Sequence, residues 1–211
     1  SLNTSIGNQA VTGLGFQAAF LLFLYGRRTA TGVAVESNMG LGVAKSASNR
    51  AATGVRDRNG QATTSAMGIH SGTRCIVMAH PTAKNSGAEA DFVSMDADGF
   101  TVNVGKADVQ SNQVGYFAIN DIDNQDCNVF VSDTSVGNQA ITGIGFQPDC
   151  LLFFSVGHTS APPSTRDDGC FMLGAATSSS ERWVTTVLCD HGETTSDTFR
   201  YQRSDKCLAW L

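Results

Sequence analysis

The sequence predicts an all-β protein made of tandem antiparallel β-sandwich modules of a jelly-roll-like kind, with the second copy incomplete. Three observations predict this class: a long internal repeat, short apolar runs bounded by glycine and polar turn residues, and the scarcity of apolar residues at helical spacing. The chain is 41% apolar and 16% charged over 211 residues, which is typical of a protein that buries a core.

The internal repeat is the strongest signal. Residues 4–24 and 134–154 are identical at 14 of 21 aligned positions, at a constant offset of 130. The correspondence then continues at offsets of 131 to 132. Because solenoid and propeller units repeat every 20 to 50 residues or so, a period of this length indicates a domain. We therefore predict a first β-sandwich module over residues 1–131 and a second copy, truncated at its C-terminal end, over residues 132–211.

Individual strands follow from the apolar runs. The run at 20–24 predicts a central strand covered on both faces. Residues 100–104 alternate between apolar and polar after the turn-forming pair Asp98-Gly99, which predicts a hairpin. The second copy stops at the position that matches Ala79, so we expect either further chain or a neighbouring subunit to cover the apolar edge that its missing strands would leave.

A repeated glycine loop has two interpretations. Gly13-Leu14-Gly15-Phe16 returns as Gly143-Ile144-Gly145-Phe146. A GLGF loop also resembles the carboxylate-binding loop of PDZ domains, in which backbone N–H groups hold a peptide terminus. The residues that follow and the 130-residue period do not fit that class. The favoured interpretation is a tight turn that delivers an aromatic side chain into the core.

Two acidic clusters are candidates for Ca²⁺ binding, because their carboxylates alternate in the way that this ion favours. Neither completes an EF-hand loop, so a hairpin turn for the first and a polar inter-domain linker for the second are the structural alternatives. The clusters are Asp96 with Asp98, and Asp121 with Asp123 and Asp126.

The sequence assigns no catalytic, cofactor-binding or metal-binding residue, and we expect no enzyme activity and no cofactor. Neither a GxSxG elbow nor an HExxH motif is present. Tandem catalytic domains would repeat their reactive residues, whereas the four histidines do not recur. Ser48 and Arg50 do recur, as Ser180 and Arg182, and for these we predict a turn contact or a surface salt bridge in preference to a ligand site. The histidines are His70, His80, His158 and His191.

The charge, the lengths of the apolar runs and the cysteines indicate which partners and which surroundings the protein has. The net charge is −5 with no basic block, which argues against a nucleic-acid partner. The longest apolar run, 18–25, is far shorter than the ~20 residues of a membrane span, so we expect no membrane insertion.

The six cysteines form no CxxC pair. Cys75, Cys150 and Cys207 lie in apolar runs, which predicts free, buried thiols in a protein assembled in a reducing cytoplasm.

Three strings of the sequence together resemble a module of tailed-phage and prophage structural proteins. They are VTGLGFQ at 11–17 with the apolar strand after it, SMDADGFTVN at 94–103 and VGYFAI at 114–119. The first copy matches this pattern throughout, and the second matches it over 141–154. The resemblance implies a virion- or tail-associated β-domain without an assigned active site.

From this resemblance we expect a non-enzymatic bacteriophage virion structural protein, assembled in the host cytoplasm and located in the virion as a capsid decoration, cement, fibre or minor tail component. Its partners would be other virion proteins and copies of itself in a homo-oligomer. The alternative is an adhesin-like module that binds host-surface glycans, with Asp167 and Asp168 as candidate loop residues. The remaining alternative is an enzyme, for instance a depolymerase.

Overall fold

The computed structural model describes residues 1–33, 35–158 and 164–211. Within these ranges the chain forms strands without any helix, and every strand pairing is antiparallel, which confirms the predicted all-β sandwich class. The described ranges accordingly contain no helix with the length and hydropathy of a membrane span. The strands are β1 (Gly7–Thr12), β2 (Phe20–Tyr25), β3 (Ser37–Ser46), β4 (Asn49–Asp57), β5 (Ala66–Ser71), β6 (Ile76–Ala79), β7 (Ser86–Asp96), β8 (Gly99–Lys106), β9 (Val114–Ile119), β10 (Leu151–Ser155), β11 (Ser164–Arg166), β12 (Gly169–Ala176), β13 (Arg182–Cys189) and β14 (Thr198–Arg203).

The first nine strands, together with β11, build a sandwich of two sheets. Sheet A has the order β1-β8-β7-β6, and sheet B has the order β11-β5-β4-β3-β2-β9. Strands that follow one another in sequence are mostly neighbours, so each sheet is largely a meander; β1 then joins β8, and β9 joins β2. The space between the two sheets is filled by apolar side chains that are nearly inaccessible to water, among them Leu21, Phe23, Ile76, Phe100, Val102 and Val104.

A third sheet, sheet C, has the order β10-β12-β13-β14 and packs on the face of sheet B that points away from sheet A. Leu41 and Val43 of sheet B meet Phe154, Phe171 and Leu173 of sheet C in one apolar cluster. Strand β2 is therefore covered on both faces over residues 20–23, as its apolar run predicts, whereas Leu24 is 52% exposed. The described residues thus form three stacked sheets with two apolar layers between them.

Sheet C repeats the order and the register of β2 to β5. Leu21 pairs with Ala44 and Ala44 with Arg50; in the second copy Leu151 pairs with Ala176 and Ala176 with Arg182. Equal patterns of side chains on the two faces specify equal pairing, because a slip by one residue would turn every side chain to the other face. The division of the chain at residues 131 and 132 stays a prediction.

The second copy departs from the first in two segments. Residues 137–142 match β1 at five of six positions, yet they are exposed and form no strand. Strand β1 is held by β8, with which it makes a full ladder from Gly7 to Thr12, and none of the described strands takes that place for 137–142. In addition, β11 belongs to the second copy by sequence but pairs with β5 at the edge of sheet B.

Candidate functional site

The glycine loop of the first copy binds a carboxylate from its own chain. Gly13 and Gly15 have φ angles of 91° and 77°, in the left-handed region that favours glycine. The N–H of Gly13 donates to Asp98 Oδ2 at 3.2 Å and the N–H of Gly15 donates to Asp98 Oδ1 at 2.5 Å. Phe16, which follows, packs against the core. The loop is thus the tight turn that the sequence predicts, and it also uses backbone N–H groups to hold a carboxylate.

The first acidic cluster forms the turn of the β7–β8 hairpin, as predicted. Asp96 accepts hydrogen bonds from Ser94 Oγ and Thr101 Oγ1, both at 2.7 Å, and these bonds lower the pKa of Asp96. Gly99, with a φ of 153°, lies so close to β1 that a β carbon would be 1.9 Å from the carbonyl oxygen of Val11. Both carboxylates of this cluster therefore accept hydrogen bonds from groups of the same chain.

The second acidic cluster contacts the β3–β4 hairpin through Asp126 and the residues beside it. Asn49 Nδ2 donates to Asp126 Oδ1 at 2.6 Å, and Asn49 Oδ1 accepts from the backbone N–H of Cys127. Lys45 Nζ donates to the carbonyl oxygen of Gln125. Within the parts of the chain that the structure describes, no three His, Cys, Asp or Glu side chains come together in a way that could hold a metal ion.

The recurring serines make the predicted turn contact in both copies. Ser48 N–H donates to Ser46 Oγ at 3.3 Å, and Ser180 N–H donates to Ser178 Oγ at 3.3 Å. The two hydroxyl groups of each pair are 3.2 Å apart. These serines shape the β3–β4 and β12–β13 turns.

The recurring arginines differ between the copies. Arg50 donates to Asp91 Oδ2 of β7 at 3.0 Å and to the carbonyl oxygen of Thr73 at 3.0 Å, which is the predicted salt bridge in a half-buried setting. Arg182 occupies the same register in sheet C. Its Nε is buried and has no hydrogen-bond partner among the described residues.

A histidine cluster lies between sheets B and C, where sequence reasoning found no signal. The rings of His70 and His158 stack with centroids 4.9 Å apart, and His70 Nε2 lies 2.7 Å from Ser164 Oγ. That distance suits a nucleophile beside its base. It is also the contact that joins two directly paired residues of β5 and β11. The residues come from different copies and do not recur, which is why the repeat gave no hint of them.

The loop residues proposed for glycan binding are engaged in ion pairs. Asp167 Oδ1 is 2.8 Å from Lys84 Nζ, and Asp168 Oδ2 is 2.9 Å from Arg166 Nη2. A separate cleft of about 340 Å³ lies where the loops around Thr64 and Thr195 meet. Hydroxyl and amide groups dominate its lining, and its described lining residues include no aromatic ring on which a sugar could stack.

The cysteines follow the sequence prediction only in part. All six are free, and Cys75 is fully buried between the sheets. Cys150, however, is exposed and precedes β10, and Cys207 is half-buried in a segment that forms no strand. The predicted burial was thus wrong for these two. Cys75 is covered because the strand after it pairs with β7 of sheet A, and the described residues give Cys207 no such sheet.

Alkylation should separate these thiols. We expect iodoacetamide at pH 8 to modify Cys150 within minutes and to leave Cys75 and Cys127 unmodified in the folded protein. Burial raises the pKa of Cys75 and of Cys127 to about 12, so neither supplies thiolate at this pH. Intact mass and peptide mapping measure the outcome, with guanidinium-unfolded protein as the control in which all six react. Modification of Cys75 at the rate of Cys150 would contradict the burial described above.

Asp98 should contribute measurably to the stability of the first copy. We expect Asp98→Ala to lower the free energy of unfolding by about 1–2 kcal/mol, below the full value of two charge-assisted bonds because the carboxylate is exposed. Urea unfolding measures this change. Asp149→Ala, at an exposed position of the second copy, is the control and should change stability by less than about 0.5 kcal/mol. Equal effects of the two variants would count against the loop contact.

The fold and these contacts define the chain as an antiparallel β-sandwich protein in whose first copy the glycine loop binds Asp98. Comparison with models of protein families, with curated proteins and with solved structures gave no match.

Proposed function

We propose that the protein is a non-enzymatic structural component of a tailed-bacteriophage particle, a capsid decoration, cement, fibre or minor tail protein that makes subunit contacts. The resemblance of its TGLGFQ and DADGFT strings to phage structural modules supports this role. One observation carries the proposal: the residues of the motif act on one another. Gly13 and Gly15 bind Asp98, and Gly99 lies against the backbone of Val11. A motif whose residues contact one another within the fold is typical of a structural module.

The outer surface of sheet B supports the contact-making role. Strand β9 is an edge strand that pairs with β2 alone among the described strands. On the face away from sheet A, beside this edge, Leu24 is 52% exposed and Phe117 is 60% exposed. Apolar side chains next to a free strand edge are where another chain can add strands or pack. Copies of the same chain or other virion proteins are the partners that we propose for this edge.

The test is the composition of purified particles. Phage particles released by the bacterium that encodes the chain are purified on a density gradient, washed in high salt, digested and quantified by mass spectrometry. We expect the chain at a constant ratio to a major virion protein, in several copies per particle. Recovery of the chain only from the soluble fraction would contradict the proposal.

A surface variant tests whether the β9 edge makes the contact. We expect Phe117→Ser to reduce the amount of chain in particles at least about fivefold while its thermal unfolding stays unchanged, since the removed ring is largely exposed in the free chain. Val109→Ser is the control, because Val109 is 92% exposed on a loop outside the edge. If both variants enter particles like the unmodified chain, the β9 edge is not the contact.

A further inference from the structure

The second copy presents a sheet face that lacks the cover its counterpart has. We call the face of sheet C that carries Leu151, Ala176 and Arg182 the open face. Leu151 is 37% exposed, whereas Leu21 at the same position of the first copy is completely buried. The carbonyl of Cys207 does cover Gly174, as that of Cys75 covers Gly42. The residues after Cys207 thus lie where β6 lies in the first copy, and they contact Met172 and Thr186, which are fully buried. Phe130 packs edge-on against Phe153 with ring centroids 6.2 Å apart, but no described strand takes the place of β7 and β8 on this face.

In the first copy the β7–β8 hairpin makes contacts for which the described part of the second copy has no corresponding strands. Asp91 of β7 pairs with Arg50, and Phe100 of β8 packs edge-on against Phe23 at 5.6 Å between ring centroids. Strand β8 also provides the complete ladder that holds β1. One segment, Ser86–Lys106, therefore pairs with the arginine, packs against the apolar layer and forms the ladder with the first strand.

The glycine loop of the second copy has the shape that binds a carboxylate. Gly143 and Gly145 have φ angles of 88° and 82°, close to the 91° and 77° of Gly13 and Gly15. In the first copy this geometry directs two N–H groups at Asp98. Among the described residues of the second copy, no carboxylate occupies the corresponding place. A loop that keeps its bound conformation without the ligand binds at a lower entropic cost.

We propose that the open face binds an antiparallel β-hairpin with the chemistry of β7–β8. One strand of this hairpin carries an acidic residue opposite Arg182, and the other pairs with residues 137–142. An aspartate in its turn accepts from the N–H groups of Gly143 and Gly145. A carboxylate fits both positions, because one presents an arginine without a partner for its Nε and the other presents two converging backbone donors. This proposal does not depend on a role in phage particles.

The probe is a peptide of the chain's own residues 86–106, labelled with a fluorophore and titrated with the full 211-residue chain. We expect saturable binding by fluorescence anisotropy. Arg182→Met in the chain and Asp98→Ala in the peptide should each weaken binding at least about tenfold, as expected for the loss of charge-assisted hydrogen bonds. Arg200→Met is the matched control: it removes the same charge from the opposite face of sheet C and should leave the affinity unchanged.

Hydrogen exchange gives a second readout that locates the binding. The amides of residues 137–142 should exchange more slowly when the peptide is bound, because they gain a strand partner. Absence of saturable binding, or binding that both Arg182→Met and Asp98→Ala leave intact, would overturn the proposal. Self-association of the chain that is lost in Arg182→Met, with no peptide binding, would also overturn it and would assign the open face to a second copy.

A genetic fusion tests the same proposal if the free peptide precipitates. Residues 80–119 are appended after Leu211, so that the second copy receives the hairpin within its own chain. We expect protection of the amides of 137–142 in this fusion. Changing the appended aspartate that copies Asp98 to alanine should reduce that protection at least about tenfold. A fusion in which 137–142 exchange as in the unmodified chain would contradict the proposal.

Discussion

Tyr25→Ser should lower the free energy of unfolding by about 3–5 kcal/mol, the cost of truncating a buried aromatic side chain. Tyr25 is buried in β2, and its hydroxyl group accepts from the N–H of Val77 at 3.1 Å. The same hydroxyl lies 3.0 Å from the carbonyl oxygen of Thr53 and 3.2 Å from that of Leu41, to which it can donate. Burial raises the pKa of Tyr25, so the group stays a neutral donor. The substitution therefore opens a cavity and leaves buried backbone groups unpaired.

The repeat suggests a second substitution that should restore part of this loss. Ser155 stands where Tyr25 stands, and Met172 stands where Gly40 stands. A β carbon on Gly40 would lie 1.9 Å from Cε2 of Tyr25, so the ring requires a glycine beneath it. In the second copy the small residue and the large one have exchanged places. We expect Gly40→Met to destabilise the chain alone and to be tolerated together with Tyr25→Ser.

The double-mutant cycle measures this coupling by urea unfolding. We expect the double variant to be more stable than the sum of the two single changes predicts, by about 2 kcal/mol, a value in the range for residues in direct contact. Tyr25→Phe is the control that keeps the ring and loses only the hydroxyl contacts; it should cost about 1–3 kcal/mol. Additive single effects would show that the exchange seen between the copies is unrelated to packing at this site.

Much of the β architecture could be predicted from the sequence because the signals were local or repeated. The apolar run at 20–24 forms a single strand. Leu21 and Phe23 face the apolar layer between sheets A and B, and Leu22 faces the layer between sheets B and C. The hairpin predicted at Asp98-Gly99 is present, with Ala97 and Asp98 between the two strands and Gly99 as the first residue of β8. The identical strings of the two copies then yield the same register in sheets B and C.

The remaining features depend on contacts between distant parts of the chain. The stacking of sheet C on sheet B uses outer-face residues such as Leu41 and Phe171, whose apolar character does not say what they will meet. The carboxylate of Asp98 reaches a loop more than 80 residues away, and no local pattern links the two. Cys150 has the sequence context of its apolar neighbours, but its exposure depends on which strands cover the start of β10.

Gly42→Ala should lower the free energy of unfolding by about 3 kcal/mol, at the upper end of the cost of overpacking. A β carbon on Gly42 would lie 1.8 Å from the carbonyl oxygen of Cys75. That oxygen belongs to the backbone just before β6, which pairs with β7, so it cannot swing aside as a side chain would. Sheet B and this segment must move apart, and the apolar layer next to Gly42 loses contact when they do.

The second copy provides the comparison. A β carbon on Gly174 would lie 1.9 Å from the carbonyl oxygen of Cys207, so the local clash is nearly the same. The segment that carries Cys207 forms no strand, and its displacement costs less, so we expect Gly174→Ala to lower stability by about 1 kcal/mol. Gly105→Ala is the neutral control, with the nearest atom, Arg74 Nη2, at 3.9 Å. Equal losses for Gly42→Ala and Gly174→Ala would mean that both segments are held equally firmly, which would contradict the weaker support described for the Cys207 segment.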